Sequence, residues 1–455
     1  MRQERQMRVR YEDMKADSST GAGNVTGTKE KEVWDVAVVG GGAAGMMAAG
    51  VAAAAGASVV LLEKNPGLGK KLLITGGGRC NVTNAEFDTR TLLAKFNSRG
   101  KKTDQFLFSP FAKHGVEETL EFFHSRGMPT KVEANKRVFP ESNTAQSVWD
   151  VLNTYIEEGR VKVIPGIKVT NIAQEDGRIA YVELANQQRV LAHSYIFATG
   201  GKSRPETGST GDGFEWLRSL GHEVKEPDAS LVPLTLKDSW AKALSGVSLP
   251  AITLTMLQNG KKYGKRAGGM VFTHQGISGP AVLNSSNDVG ELLKYGPVSL
   301  SLDLRPDIAL DALDVLLRTN FEEDSNKKVR NVVSKIIPSS LADVVFEKVG
   351  LNGDAPCHSV SRAERIALGH TIKGIEVNVR GLLGVEKAIV TSGGVALTEV
   401  DFRTMRSKLI DNLFVVGDLL NIDRPSGGYS LQLCWTTGTV AGLSAAEAAK
   451  QNKAT

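Results

Sequence analysis

The segment from 33 to 65 constrains the fold of this chain more than any other part of it. It reads VWDVAVVGGGAAGMMAAGVAAAAGASVVLLEKN, a pattern that predicts a buried strand, a glycine turn, a helix over about 43–55 and a second buried strand. Such a unit is typical of Rossmann folds, which bind the pyrophosphate of a dinucleotide at this turn. We expect Gly40 to permit the tight turn, Gly42 to admit the pyrophosphate, and Gly45 to let the helix pack closely against the strand.

The start of the predicted helix is suited to an anion. Free N–H groups near Ala43 and Ala44, together with the helix dipole, favour negative charge there. Glu63 ends the second strand and is followed by Lys64, and an acid at this position accepts hydrogen bonds from a ribose diol. Because a carboxylate disfavours a 2′-phosphate, the pattern indicates FAD or NAD rather than NADP.

Composition argues against several other classes of protein. The chain has 455 residues, a length that predicts two domains, or one domain with a large insertion. Its net charge is +5. Its Lys and Arg residues are scattered along the sequence, so no nucleic-acid partner is expected. The uncharged stretch 43–62 is long enough to span a membrane, but it consists mostly of Ala and Gly, which favours a buried helix and strand instead.

The cysteines and the amino terminus bear on the cellular compartment. Cys80, Cys357 and Cys434 are too few and too far apart for a disulfide framework or a zinc site, so no metal and a reducing compartment such as the cytoplasm are expected. Residues 1–32 mix acidic and basic side chains with few apolar ones, which predicts a disordered leader. Import into a plastid or mitochondrion through this leader stays open.

A late strand favours FAD over NAD. Near the carboxyl end, LIDNLFVVGDLLNIDRPSGGYSLQL predicts a short strand that ends in Gly417 and Asp418. It resembles FAD enzymes of the glutathione-reductase type, in which such a strand returns to the first domain and its carboxylate holds the ribityl chain. The dipole of the Ala-rich helix that follows would stabilise the negative charge of a reduced flavin. The predicted contacts of this helix start are Gly428, Tyr429, Ser430, Leu431 and Gln432.

Two segments in the middle of the chain are also predicted to contact the dinucleotide. In SYIFATGGKSRPETGSTGDGFEW, a strand ends in Thr199, Gly200 and Gly201, and the TGDG resembles the flavin-contacting loop of fumarate reductase and succinate dehydrogenase flavoproteins. The stretch VKVIPGIKVTNI predicts a strand whose backbone near Val169 hydrogen-bonds adenine. Together with the glycine turn and the late strand, these two segments predict a single extended site.

The segment KKLLITGGGRCNVTN, residues 70–84, is not a Walker A loop, because it lacks the required Gly to Gly-Lys spacing and the following Ser or Thr. We interpret it as a second approach to the same cofactor, with glycines that let the main chain pass close to the flavin and an arginine that pairs with the phosphate or ribityl side. Cys80 has no CxxC partner and is expected to be packed. The predicted contacts are Lys71, Thr75, Gly76, Arg79, Cys80 and Asn81.

Taken together, these motifs make the chain similar to the HI0933-like (BaiN-like) family of NAD(P)/FAD-dependent oxidoreductases. The resemblance rests on VVGGGAAGMMAA, LLEKN, GKKLLITGGGRCNVTN, FPESNTAQSV, FTHQGISGPAVL and GGYSLQLCWTTGTVAG. It implies an α/β fold, with a Rossmann-type FAD-binding domain of the glutathione-reductase-like kind built from segments 33–202 and 388–455. An inserted substrate domain, 203–387, would be β-rich with a helical part at about 307–364.

The same resemblance implies that the chain reduces an activated double bond of a small organic substrate, with bound FAD and with NADH or NADPH as reductant. The insertion has no second strand–GxGxxG–helix pattern, so the nicotinamide would bind transiently. Double-bond reduction needs a proton donor and a donor to the enolate oxygen, for which His274 and Tyr429 are the candidates. A tRNA-modifying flavoprotein and a non-catalytic flavin-binding sensor or partner-binding module stay open, as does the oligomeric state.

This chain departs from the family pattern at three positions near the carboxyl end. Asp418 stands where Glu is more usual, Ser430 stands where Asn is more usual, and Arg424 occupies a loop that is usually rich in Asp and Gly. The departures concern the contacts closest to the flavin ring and the substrate.

Overall fold

The computed structural model describes residues 32–96, 103–383 and 390–454. The predicted leader, apart from its last residue, and the predicted boundary at 387–388 lie outside these ranges. The strands, in chain order, are β1 (Val33–Val39), β2 (Val59–Leu62), β3 (Thr83–Asn84), β4 (Thr130–Glu133), β5 (Arg137–Pro140), β6 (Lys162–Ile164), β7 (Val169–Glu175), β8 (Arg178–Leu184), β9 (Arg189–Phe197), β10 (Val224–Ser230), β11 (Leu234–Leu236), β12 (Ser248–Gln258), β13 (Lys261–Thr273), β14 (Gly276–Ser278), β15 (Ser299–Asp303), β16 (Ile375–Leu382), β17 (Val390–Val395) and β18 (Leu413–Val415).

The helices, in chain order, are α1 (Ala43–Ala54), α2 (Thr89–Ala94), α3 (Thr103–Lys113), α4 (Val116–His124), α5 (Ala145–Glu158), α6 (Asp212–Ser219), α7 (Ser239–Ala243), α8 (Pro280–Leu283), α9 (Ser286–Leu293), α10 (Leu310–Glu323), α11 (Val329–Val333), α12 (Ser339–Val349), α13 (Arg362–Lys373) and α14 (Tyr429–Ala454). Within the ranges that the structure describes, no helix is long and apolar enough to cross a membrane.

A parallel sheet contains the predicted dinucleotide unit. Strands β6, β2, β1 and β9 pair in that order and are all parallel, and β18 pairs in parallel with the end of β9. Strands β7 and β8 extend the sheet from β9 as an antiparallel hairpin. Because β18 comes from the carboxyl end of the chain, two distant segments complete one sheet, which confirms the predicted two-part Rossmann-type domain.

The unit between β1 and β2 folds as predicted. Helix α1 is buried along most of its length and packs against α14, so the uncharged stretch 43–62 forms a buried helix and strand. Gly40 has a φ of +106°, and a Cβ there would lie 2.6 Å from the carbonyl oxygen of Ala198, just after β9. Any other residue at this turn would have to displace backbone.

The insertion is a closed barrel with helices beside it. Strands β11, β14, β13, β12, β15 and β16 pair in that order and close on one another. The barrel interior and helices α10 to α13 share a second hydrophobic core, separate from that of the parallel sheet. These four helices span 310–373 and overlap the helical part that the resemblance implied at 307–364.

An antiparallel ribbon of β10 and β17 joins the barrel to the sheet. Phe214 and Leu217 of α6 and Val395 of β17 belong to the first core, whereas the second core begins at Leu234 and ends at Val379. The core of the inserted domain therefore covers a shorter range than the predicted 203–387, because α6 packs with the parallel sheet.

Candidate cofactor site

A cavity lies beyond the carboxyl ends of four parallel strands. Val39, Leu62, Ala198 and Val416, at or just past the ends of β1, β2, β9 and β18, all line it. Ligands of open α/β sheets bind at this edge. The predicted contacts that line the cavity are Gly40, Gly42, Ala43, Ala44, Glu63, Lys64, Lys71, Thr75, Val169, Thr199, Gly200, Gly417, Asp418, Ser430 and Leu431.

The carboxylate of Glu63 is held in place on the cavity wall. Its Oε2 accepts a hydrogen bond from the backbone N–H of Gly41 at 2.7 Å, and its Oε1 accepts from the backbone and side-chain nitrogens of Asn65, each at 2.7 Å. The residue is buried. Oε2 has a second lone pair, so the group can still accept from a ligand hydroxyl.

The start of α1 offers free donors and empty space. The first intrahelical bond runs from Met46 N to Gly42 O, and no side chain caps the helix and no acid lies in its first turn. A Cβ on Gly42 would meet no atom within 4 Å. Uncapped N–H groups facing unfilled space fit a pyrophosphate, because the helix dipole favours an anion there.

A largely buried charge cluster also borders the cavity. Asp418 is paired with the guanidinium of Arg424, whose side chain has no exposed surface. Lys71 Nζ lies 3.4 Å from the same carboxylate and donates to Ser203 Oγ at 2.7 Å. Burial by itself would raise the pKa of Asp418, but the charges of Arg424 and Lys71 outweigh burial and hold this pKa below its ordinary value.

Arg424 also connects this cluster to helix α14. Its Nε donates to Ser430 Oγ at 3.1 Å, in the first turn of the helix, and another guanidinium nitrogen donates to the Ile422 carbonyl at 2.7 Å. Arg424 is thus bonded to both of the other departures from the family pattern, Ser430 and Asp418. The cluster carries two cations and one anion beside the helix amino terminus.

Several residues of the cavity wall were not predicted. Lys64 Nζ donates to Asp212 Oδ2 at 2.7 Å, and Asp212 lies in the TGDG stretch, which was a usable signal. Asn65 directly follows the predicted Glu63 and Lys64. The remaining additions include Gly41, Ile167, Lys168, Ser209, Trp216 and Cys434.

Neither Cys80 nor Cys434 is suited to thiolate chemistry. Burial raises the pKa of Cys80 to about 12, and burial followed by the charge of Asp418 raises the pKa of Cys434 to about 12. Both thiols therefore stay protonated near neutral pH. Cys434 lines the cavity, whereas Cys80 does not. No group of side chains within the described ranges has the composition of a metal site.

Arg79 lies away from the cavity, contrary to its predicted position. Its guanidinium is paired with Glu133, bonds the side-chain oxygen of Asn143, and lies 4.2 Å from the centre of the Phe139 ring. These partners come from a distant hairpin and the turn after it, which satisfy the cation locally. The other predicted contacts that do not line the cavity are Gly45, Gly76, Cys80, Asn81, Gly201, Gly428, Tyr429 and Gln432.

Gln432, Gly428 and Asn81 fix the start of α14 against neighbouring elements. Gln432 is buried, accepts from Thr83 Oγ1 at 2.6 Å and donates to Gly115 O at 2.9 Å. A Cβ on Gly428, which has a φ of +102°, would lie 2.3 Å from the Thr83 carbonyl. The Asn81 amide, oriented to satisfy its neighbours, accepts from Gly428 N at 2.9 Å. Strand β3 therefore packs directly against the helix start.

The two predicted catalytic side chains are not brought together. His274 is exposed in the turn between β13 and β14. Tyr429 is buried and its ring meets Phe96 edge-to-face at 5.9 Å; burial raises its pKa. Neither residue lines the cavity.

The parallel sheet, the uncapped glycine turn and the returning carboxyl-terminal strand define a Rossmann-type FAD-binding domain, the fold of a large class of flavoenzymes. Comparison with known proteins agrees with this class. The family model of the HI0933-like protein Rossmann domain matches residues 34–444. The chain therefore belongs to the HI0933-like family.

Two characterised relatives and a solved structure add detail. The chain is 30% identical over 390 residues to a 3-dehydro-bile acid delta(4,6)-reductase of Clostridium scindens, covering 86% of this chain and 93% of that protein. It is 28% identical over 398 residues to a ribosomal RNA dihydrouridine synthase of Haemophilus influenzae, covering 85% and 92%. A 3-ketosteroid-delta4-(5alpha)-dehydrogenase from Rhodococcus jostii RHA1 shares the fold, with 15% identity, a TM-score of 0.51 and coverage of 93% and 99%.

Proposed function

We propose that this chain is an FAD-dependent oxidoreductase that reduces a carbon–carbon double bond conjugated with a carbonyl group in a small organic substrate, with electrons from NADH or NADPH. One observation carries the proposal. The cavity joins Glu63, the uncapped start of α1, and the Asp418 cluster at the start of α14 in one continuous wall. Gly41, just before α1, is bonded to Glu63, and a Cβ on Gly417 would lie 3.2 Å from Ala44 in the first turn of α1. An acceptor for ribose, a donor set for phosphate and a polar group for the sugar-alcohol chain therefore follow one another in the order in which FAD presents them.

The residues that would hold FAD follow from this order. Glu63 would accept from the adenosine ribose, and the backbone near Val169 and Lys168 would lie at the adenine. The N–H groups at Gly42 and Ala43 would bind the pyrophosphate. Asp418, with Lys71 beside it, would lie at the ribityl chain, and Ser430 and Leu431 would face the ring. All of these residues line the cavity.

Bound FAD would supply a group that accepts a hydride from one partner and delivers it to another. The protein would then need to stabilise negative charge when the flavin is reduced. The two cations of the Asp418 cluster and the amino terminus of α14 are placed to do so. We assign no catalytic role to His274 or Tyr429, because neither lines the cavity.

The nature of the substrate is inferred from the two relatives. A bile acid delta(4,6)-reductase and a dihydrouridine synthase both act, by their names, on carbon–carbon double bonds, and in each substrate the bond is conjugated with a carbonyl. A hydride can add to such a bond because the carbonyl oxygen accepts the resulting negative charge. The inserted domain is a barrel and not a second Rossmann unit, which supports transient binding of the nicotinamide.

Stopped-flow mixing of purified protein with NADH and, separately, with NADPH tests the proposal. We expect the flavin absorbance to bleach with at least one of them and to return when a conjugated enone such as a 4-en-3-one steroid is added. Protein that holds flavin but is reduced by neither nicotinamide would contradict the proposed electron source. Bleaching without reoxidation by any enone would contradict the proposed substrate class.

A second candidate is reduction of a uracil ring within RNA. It is favoured by the relation to ribosomal RNA dihydrouridine synthases of Haemophilus influenzae and, at 27% identity, Escherichia coli. The 5,6 double bond of uracil is conjugated with a carbonyl, so the same cavity chemistry would serve. Mass spectrometry of RNA after incubation with protein and NADPH would detect the added two hydrogens, and unchanged RNA would argue against this candidate.

A further inference from the structure

Strand β13 carries a row of basic side chains that the proposed chemistry does not use. Between Asp238 and Asp288 the sequence holds five Lys and Arg residues and no acid. Four of them lie in the first six residues of β13, and all four are exposed: Lys261, Lys262, Lys265 and Arg266. Arg266 is paired with Asp288 at 2.6 Å. The three lysines have no ion-pair partner within the part of the chain that the structure describes.

Exposed aromatic rings accompany these cations. Tyr263 is 52% exposed and lies at a bulge, since Met256 pairs with Gly264 and the next residue pairs with Lys262. Tyr295 is 79% exposed in the turn after α9, and Gln258 holds that turn beside β12 through a bond to Gly296 O at 2.9 Å. Cations that neutralise phosphates and rings that stack on bases are the usual combination in proteins that bind single-stranded nucleic acid.

Hydrogen bonds connect this row to the loop that borders the cavity. The Arg266 guanidinium donates to the backbone oxygen of Asn284 at 3.4 Å, and the side-chain oxygen of Asn284 accepts from Ser426 N at 2.9 Å. Ser426 lies between Arg424 and Ser430, which are bonded to each other at the Asp418 cluster. From this loop the row runs outward along β13 for about 17 Å, the length of five residue steps of a strand.

We propose that the exposed basic start of β13, formed by Lys261, Lys262, Tyr263 and Lys265, binds the backbone of an RNA strand and directs one of its bases toward the cavity. This inference rests on the second candidate function, reduction of a uracil ring. The sequence places the cations within an acid-free stretch, and the fold gathers them on one strand that leads to the cavity. An acidic protein segment would use the charge but would leave the exposed rings without a role.

Fluorescence anisotropy of a labelled single-stranded oligouridine of about twelve nucleotides, with the FAD-reconstituted full chain, tests the proposal. Lys261→Gln/Lys262→Gln/Lys265→Gln should reduce the slope of log affinity against log salt by about 2, because each phosphate contact contributes about 0.7. Tyr263→Ala should weaken binding about tenfold at fixed salt through lost stacking, with the slope unchanged. All four side chains are exposed, so the variants should fold as the parent does.

The matched control removes three lysines from the helical part of the insertion. Lys327, Lys328 and Lys335 are each more than half exposed and paired with Asp324 or Asp354, and their change to Gln should leave the slope unaltered. The proposal is overturned if the parent shows no salt-dependent RNA binding, if both triple variants lose it equally, or if polyglutamate binds as tightly as RNA. Mass spectrometry of RNA incubated with the parent and NADPH, which detects reduced uracil, distinguishes a failure of this inference from a failure of the second candidate function.

Discussion

Removal of the Arg424 side chain should destabilise the sheet domain far more than removal of an exposed arginine. In Arg424→Met, Asp418 would keep only Lys71, at 3.4 Å, as a cationic neighbour, and the Ile422 carbonyl would lose its donor. Breaking one side of a buried ion pair costs about 3–5 kcal/mol, because the remaining charge stays desolvated. Since Lys71 compensates in part, we expect about 3 kcal/mol.

Urea denaturation followed by tryptophan fluorescence measures this effect, since Trp435 of α14 is fully buried in the core of the sheet domain. Arg218→Met is the matched control, because its partners Glu215 and Glu226 are 73% and 78% exposed, and a pair of that kind contributes about 1 kcal/mol or less. The double variant Asp418→Asn/Arg424→Met should recover part of the loss. A loss for Arg424→Met below about 1 kcal/mol, or equal to that of the control, would refute the reasoning.

Three further predictions concern the same domain. Gly40→Ala should lose about 2 kcal/mol or more of stability, since its Cβ would lie 2.6 Å from Ala198 O at a φ of +106°. Gly67→Ala, where a Cβ meets nothing within 4 Å, should leave stability unchanged. Equal urea midpoints for the two variants would contradict this prediction. Burial lowers the pKa of His114 from 6.5 to about 4, so below pH 6.5 only the unfolded chain gains this proton and stability falls as the pH drops toward 4. This loss should be smaller by about 3 kcal/mol in His114→Gln, and parallel stability profiles of the two proteins would exclude the effect. Arg79→Ala should keep the FAD affinity of the parent in a fluorescence titration, because Arg79 is paired with Glu133 outside the cavity. Weaker FAD binding would indicate that Arg79 contacts the cofactor, as predicted from the sequence.

Local patterns were sufficient to predict the dinucleotide unit. The glycine turn, α1 and β2 are set by residues within one short segment, and Glu63 follows from strand length, so these positions agree with the structure. The position of Arg79 depends instead on Glu133, which is 54 residues away in sequence. A charged side chain takes the partner that the tertiary fold brings to it, and one sequence does not specify which partner that is.

Helix geometry explains the mixed result at the start of α14. Every residue from 428 to 432 was a predicted contact, but Ser430, Leu431 and Cys434 line the cavity while Tyr429 and Gln432 face the interior. Successive residues of a helix point about 100° apart, so residues i, i+1 and i+4 share a face. A helix that presents Ser430 and Leu431 to the cavity therefore also presents Cys434 and turns Gln432 away from it.

The distribution of charge on the surface was the property hardest to predict from the sequence. Lys and Arg residues are scattered along the chain as a whole, but barrel closure places an acid-free stretch on one exposed strand beside the loop that leads to the cavity. The relation between β13 and residues 424–430 spans about a third of the chain. Only the folded barrel reveals it.

The FAD affinity of Gly42→Ala, beside that of the parent, tests the central claim most directly. A methyl group at this position would meet no protein atom within 4 Å and the backbone there is extended, so the apoprotein should unfold at the same urea concentration as the parent. The methyl would occupy the space assigned to the pyrophosphate, so we predict FAD binding at least about tenfold weaker, or 1.4 kcal/mol. A parent that binds no FAD, or a variant that binds it equally well, would contradict the account.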